Sequence, residues 1–102
     1  ANQKETYPLR VSVRFFAALR EIVGKKEETL EFPEGREVTV EKVLKRLTEL
    51  HGRDFDEYVH DEQTGEVRGY LQILVNEKST KTLKTKVKDG DVLAIIPPVG
   101  GG

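Results

Sequence analysis

The stretch with the clearest chemical potential is Pro97-Pro98-Val99-Gly100-Gly101-Gly102. Two prolines withdraw N–H donors from any strand pairing, one apolar residue follows, and three glycines lead to a free carboxylate. The apolar run just before, Val92-Leu93-Ala94-Ile95-Ile96, reads as a buried strand. A strand held in a core would thus run directly into a bare, narrow end. At about 3.3 Å per extended residue, six residues reach about 20 Å, enough to place a carboxylate in another protein's active site. Glycine-rich chain ends are also commonly frayed without any role, and that reading stands beside the first.

Side chains offer little rival chemistry. Cysteine is absent, which removes disulfides, thiolate metal ligands and a cysteine nucleophile together. There is no P-loop and no G-x-G-x-x-G, and no helix follows the terminal glycines to complete a phosphate cradle. His51 and His60 are the only histidines. His51 closes a long helix, where an imidazolium suits the dipole better than it suits a metal. Asp54, Asp56 and Glu57 lack calcium-loop spacing, and Asp61 and Glu62 fall in a turn, so no metal site is expected. No residue set combines nucleophile, base and oxyanion donors, so the side chains do not predict an enzyme. Lys78, Lys81, Lys84, Lys86 and Lys88 form a basic run, as expected of a strand edge guarded by lysines, with a partner-docking patch as the alternative.

The elements that would position the tail follow from periodicity. Leu9, Val11, Val13 and Phe15 alternate with polar residues, the pattern of a half-buried strand. Phe16, Leu19, Ile22 and Val23 fall at helical spacing, stopped by Gly24. Glu28 to Phe32 reads as a strand, and Pro33-Glu34-Gly35 as the turn that ends it. Thr39 caps the longest helix, in which Val40, Val43, Leu44, Leu47 and Leu50 form one apolar stripe before Gly52. Phe55, Tyr58 and Val59 predict a short helical turn over an edge of the core. Residues 61–65 form a turn between two short extended pieces. Leu71 to Val75 is a strand, Asn76-Glu77 turns the chain, residues 78–88 carry no firm signal, and Asp89-Gly90-Asp91 leads tightly into the last strand. The expected class is α+β, one mixed sheet covered by the long helix.

The 102 residues carry a net charge of −1, with 36% hydrophobic and 34% charged residues. That balance fits a single domain with a charged surface, without the basic excess of a nucleic-acid binder. No apolar stretch approaches membrane-spanning length, and Ala1 to Arg10 contains no secretory apolar segment, so a cytoplasmic setting is expected. The expected organisation is a flexible segment over 1–8, a domain over 9–96 and a flexible tail over 97–102.

Asp89-Gly90-Asp91, the apolar strand and then Ile95-Ile96-Pro97-Pro98-Val99-Gly100-Gly101-Gly102 closely resemble the ending of the ubiquitin-like sulfur-carrier family. That family (MoaD/ThiS-like) includes the small subunit of molybdopterin synthase and the archaeal small modifier proteins. Thr64-Gly65-Glu66-Val67-Arg68 with Leu71 to Asn76 resembles the family's middle, and Val13-Arg14-Phe15-Phe16-Ala17 to Leu19 its start. The resemblance implies a β-grasp fold, a mixed sheet wrapped around one main helix. It also implies that Gly102, with Gly101 beside it, is the reactive end.

In such a family a partner enzyme uses ATP to adenylate the terminal carboxylate, and a sulfur donor then converts the acyl-adenylate to a thiocarboxylate. Attack by a lysine amine gives an isopeptide bond instead. Pro97, Pro98, Val99 and Gly100 are the residues such partners would grip. Glycines fit a narrow channel because they carry no Cβ, and the prolines favour the extended form beforehand. Gly100 departs from the family's frequent use of another small residue at that place, which adds flexibility. The implied partners are an E1-like adenylating enzyme (MoaB/ThiF/MoeB-type) and a large molybdopterin synthase subunit of the MoaE kind. Target-protein lysines are the partners in the modifier reading. No cofactor is expected to be bound by the chain itself, ATP being used by the activating partner. A passive β-grasp interaction module is the third reading.

Overall fold

A computed structural model describes residues 8–33, 37–80 and 82–98. The chain runs β1 (Leu9–Phe15), α1 (Ala18–Val23), β2 (Glu27–Phe32), α2 (Val40–His51), α3 (Arg53–Val59), β3 (Gln72–Val75), β4 (Lys78–Ser79) and β5 (Val92–Ile96). The strands form one sheet of five in the order β2-β1-β5-β3-β4. The first and last strands are parallel neighbours at its centre, and the other three pairings are antiparallel. The α2 helix lies over one face. This is the ubiquitin-like β-grasp, an α+β fold.

The alternation in β1 works as its residues dictate. Val11, Val13 and Phe15 are fully buried under the helices, while Arg10 and Arg14 point to the opposite face. Leu93 and Ile95 on β5, Ile73 on β3, and Leu30 and Phe32 on β2 complete the sheet's half of the core. Val40, Val43, Leu44 and Leu47 supply the α2 half. Each fully buried aliphatic side chain contributes about 1.5–3 kcal/mol by leaving water. Thr39 caps α2 as expected, its Oγ1 accepting from Lys42 N–H at 3.3 Å.

Several expectations are corrected. Helix α1 starts at Ala18 rather than Phe16, because Ala17 stands at φ 53°, ψ −127°, where no helix can begin. Leu50 does not join the apolar stripe and is 53% exposed. His51 takes the inward place instead, with Nε2 donating to Glu28 Oε1 at 2.6 Å and its ring edge-on to Phe15. The short helical turn expected near Phe55 is a helix of 7 residues, and Phe55 and Val59 are fully buried core. The 61–65 turn does join two extended pieces, through an isolated bridge between His60 and Val67. Residues 78–88 contain the short edge strand β4, where Lys78 is exposed, and a bridge from Lys86 to Thr39. The expected turn over Pro33-Glu34-Gly35 falls partly outside the described residues.

Candidate functional site

Everything that positions the tail converges on β5. On one side β5 is parallel to β1, with Phe15 opposite Ile95; on the other it is antiparallel to β3, with Gln72 opposite Ile96. Being central, β5 is held by two ladders, so its end is among the best-fixed points in the sheet. Pro97 follows Ile96 and is buried, while Pro98 is exposed. The chain therefore leaves the core between these two residues. Lacking N–H groups, the prolines stop the ladder there. Val99, Gly100, Gly101 and Gly102 lie outside the described residues.

The entry to β5 is tied as firmly. Asn76 Oδ1 accepts from Val92 N–H at 2.9 Å, and Asn76 Nδ2 donates to Asp91 Oδ1 at 2.9 Å. The other oxygen of Asp91 accepts from Lys88 N–H at 2.8 Å. Asp89 accepts from Arg10 N–H at 2.8 Å. Gly90 between them has φ 89°, a left-handed conformation that a side chain would strain. Each carboxylate of Asp89-Gly90-Asp91 thus has a backbone donor to hold, and together they set the register of β5.

Alternation along β5 divides its residues between two environments. Leu93 and Ile95 face the core, whereas Val92, Ala94 and Ile96 are half-buried on the face away from the helices. Leu74, opposite Ala94, lies on that same face. Arg14, Leu74, Asn76, Glu77, Val92 and Ala94 line a shallow hollow of about 380 Å³ there. An uncovered apolar strip flanked by one cation and one anion, beside a tail exit, is suited to docking another protein. These face residues were not singled out from the sequence. A run of five apolar residues reads as buried on both sides, and only knowledge of which face the helices cover separates Val92, Ala94 and Ile96 from Leu93 and Ile95.

The groups with displaced titration lie elsewhere and have ordinary causes. Hydrogen bonding and charge from Lys86 hold the Glu37 carboxyl below its usual range, and the same contact raises Lys86. The backbone N–H groups of Gln63 and Thr64 hold Asp61 down, with Arg68 adding charge. One is a surface ion pair at 2.7 Å and the other a turn, so neither marks a reactive centre. His60 pairs with Asp56 at 3.0 Å at the end of α3. No helix of the described residues is long and apolar enough to cross a membrane.

Comparisons with known proteins agree with this geometry. The sequence profile of the ThiS family matches residues 13–102. Small archaeal modifier protein 3 of Haloferax volcanii is 31% identical over 97 residues, 92% of this chain and 100% of that protein. A molybdopterin synthase sulfur carrier subunit of Arabidopsis thaliana is 33% identical over 98 residues, covering 96% of this chain and 88% of that one. The crystal structure of SAMP1 from Haloferax volcanii superposes with a TM-score of 0.80 at 28% identity, over 91% of this chain and 99% of the other. Fold, end-strand geometry and sequence converge, and the chain belongs to the ThiS family of ubiquitin-like sulfur carriers and small modifiers.

Proposed function

We propose that this protein is a sulfur carrier whose reactive group is the carboxylate of Gly102, serving molybdopterin biosynthesis. The observation that carries the reading is the exit geometry. A central strand clamped on both sides ends in a buried Pro97 followed by an exposed Pro98. A carboxylate is a poor electrophile, so activation falls to a partner. In its adenylating site a Gly102 oxygen attacks the α-phosphorus of ATP, and pyrophosphate leaves. A sulfide (HS⁻) nucleophile then attacks the acyl carbon, AMP departs, and loss of the thiol proton leaves the thiocarboxylate. The chain contributes the carried group and its handle, while E1-like and MoaE-like partners perform the chemistry in the cytoplasm. The strip formed by Leu74, Val92, Ala94 and Ile96 is the surface on which we place those partners.

The similarity to a small archaeal modifier protein supports a second reading, conjugation of Gly102 to lysines of other proteins. Both share the acyl-adenylate and differ in the nucleophile that consumes it. Intact-mass analysis of protein from its native host separates them. One oxygen replaced by sulfur at Gly102 is the expected result for the carrier, and Gly-Gly remnants on lysines of other proteins for the modifier. Leu74→Glu should lower adenylate yield with the partner enzyme while leaving the circular dichroism unchanged. Absence of both modified forms, with partners still binding after deletion of Gly101 and Gly102, would sink the proposal in favour of a passive module.

A further inference from the structure

The sheet has two edges, and they differ. Strand β4 has 2 residues, whereas β2 presents 6. Phe15 N–H donates to Lys26 C=O at 2.9 Å, and Ser12 N–H, on the opposite side of β1, donates to Asp91 C=O at 3.0 Å. With the register of Val11 on Leu30 and Val13 on Glu28, this parity turns the backbone groups of Glu27, Thr29 and Glu31 away from β1. Arg46 of α2 confirms the direction, since its Nη1 donates to the outward Glu31 C=O at 2.9 Å. Among the described residues, no hydrogen bond engages the N–H or C=O of Glu27 or Thr29.

We propose that the outer edge of β2 is a second binding site, at which an extended segment of a partner protein adds as a further strand. The chemistry of the edge specifies that segment. Glu27, Thr29 and Glu31 are exposed on the face away from the helices, and Glu31 already bridges Arg10 at 3.0 Å. Cations on the added strand opposite Glu27 and Glu31, four residues apart, extend this alternation of charge. The residues between them turn to the α2 side. There Leu50, one helical turn beyond Arg46, stands 53% exposed as an apolar shoulder. The matching segment is therefore basic–apolar–polar–apolar–basic in extended form.

A second copy of this chain fits less well. Two-fold antiparallel pairing centred on Thr29 sets Glu27 of each copy opposite Glu31 of the other, and like charges directly opposite are destabilising. The site uses neither the tail nor the Leu74–Ala94 strip, which shares the sheet face of Glu27, Thr29 and Glu31 but is separated from β2 by β1.

The test uses the full chain, isotopically labelled, and two synthetic peptides. One carries the core Lys-Val-Thr-Val-Lys and the other its charge reversal Glu-Val-Thr-Val-Glu. The basic peptide should shift the amide resonances of Glu27 to Phe32 and slow exchange of the Thr29 amide. Thr29→Pro removes an outward N–H that no partner in the sheet uses, so the fold should persist while affinity falls about tenfold. Glu27→Lys with Glu31→Lys, both exposed, should reverse the preference between peptides and guards against loss of folding in the proline variant. Deleting Gly101 and Gly102 should leave peptide affinity unchanged. The proposal is overturned by equal binding of the two peptides, by no shift with either, or by shifts centred on Leu74 and Ala94. Self-association that Thr29→Pro abolishes would also overturn it, by giving the edge to a second copy.

Discussion

Among the described residues, two other than glycine and asparagine hold positive φ: Ala17 at 53° and Glu77 at 72°. They border β5 and the hollow on the sheet face. Ala17 follows the end of β1, whose last residue pairs with Ile95, and Glu77 lines the hollow on the sheet face. Asn76 and Glu77 are the two turn residues between Val75 and Lys78, and with φ positive at both they match the hairpin turn that normally takes Asn-Gly. Glu in the second place costs about 1 kcal/mol. Glu77→Gly is therefore expected to raise stability by up to about 1 kcal/mol, read as a higher urea midpoint at unchanged slope. No gain would mean that the Glu77 side chain makes a compensating contact. The turn itself was legible from the pair Asn76-Glu77, but the position of Ala17 was not. Nothing in Phe16-Ala17-Ala18 announces that β1 must reverse within two residues to lay α1 on the core.

Helix α2 shows how periodicity reaches part of the way. Its spacing put Leu47 and Leu50 on one stripe, yet Leu47 is fully buried and Leu50 more than half exposed. The two lie 60° apart around a helix, and the buried sector over the sheet is filled on its other flank by His51, packed between Phe15 and Phe55. The contrast gives a prediction. Leu47→Ala should cost about 2–5 kcal/mol, whereas Leu50→Ala should stay within about 0.5 kcal/mol in chemical denaturation. Equal costs would contradict the packing described. Helix α3 was harder to read because only Phe55 and Val59 of its 7 residues are buried, too few to reveal a period among five polar or half-buried neighbours.

At the scale of the whole molecule, the surface ion pair of Glu37 and Lys86 links stability to pH. The Glu37 carboxyl lies below its ordinary 4.5, and Lys86 lies above its ordinary 10.5, each because of the other. Glu37's contribution is complete above 4.5 and is lost as pH falls through its lowered folded value. Lys86's contribution is complete below 10.5 and is lost as pH rises through its raised folded value. The pair therefore stabilises between those limits, weakly, because both groups are exposed. Urea midpoints of the native protein and Glu37→Gln should differ slightly near neutrality and coincide in strong acid. The gap should also close in high salt. A gap that persists in acid would assign the effect to something other than this ion pair.

The elements of this fold, and the proposal that chemistry happens at its end, follow from local pattern. Alternation defines β1, a capped apolar stripe defines α2, and an apolar run broken by Pro97-Pro98 ahead of three glycines marks the tail, because each signal is carried by neighbours within a few residues. What such patterns leave open is which strands meet. That β5 lies between β1 and β3 rather than at an edge depends on burying Leu93 and Ile95 against α2 and Phe15, contacts made across most of the chain's length. The same long-range choice uncovers Val92, Ala94 and Ile96 beside the exit and leaves β2 with an open flank. Periodicity within a segment reports its own faces, and only packing between distant segments decides which of those faces meets water.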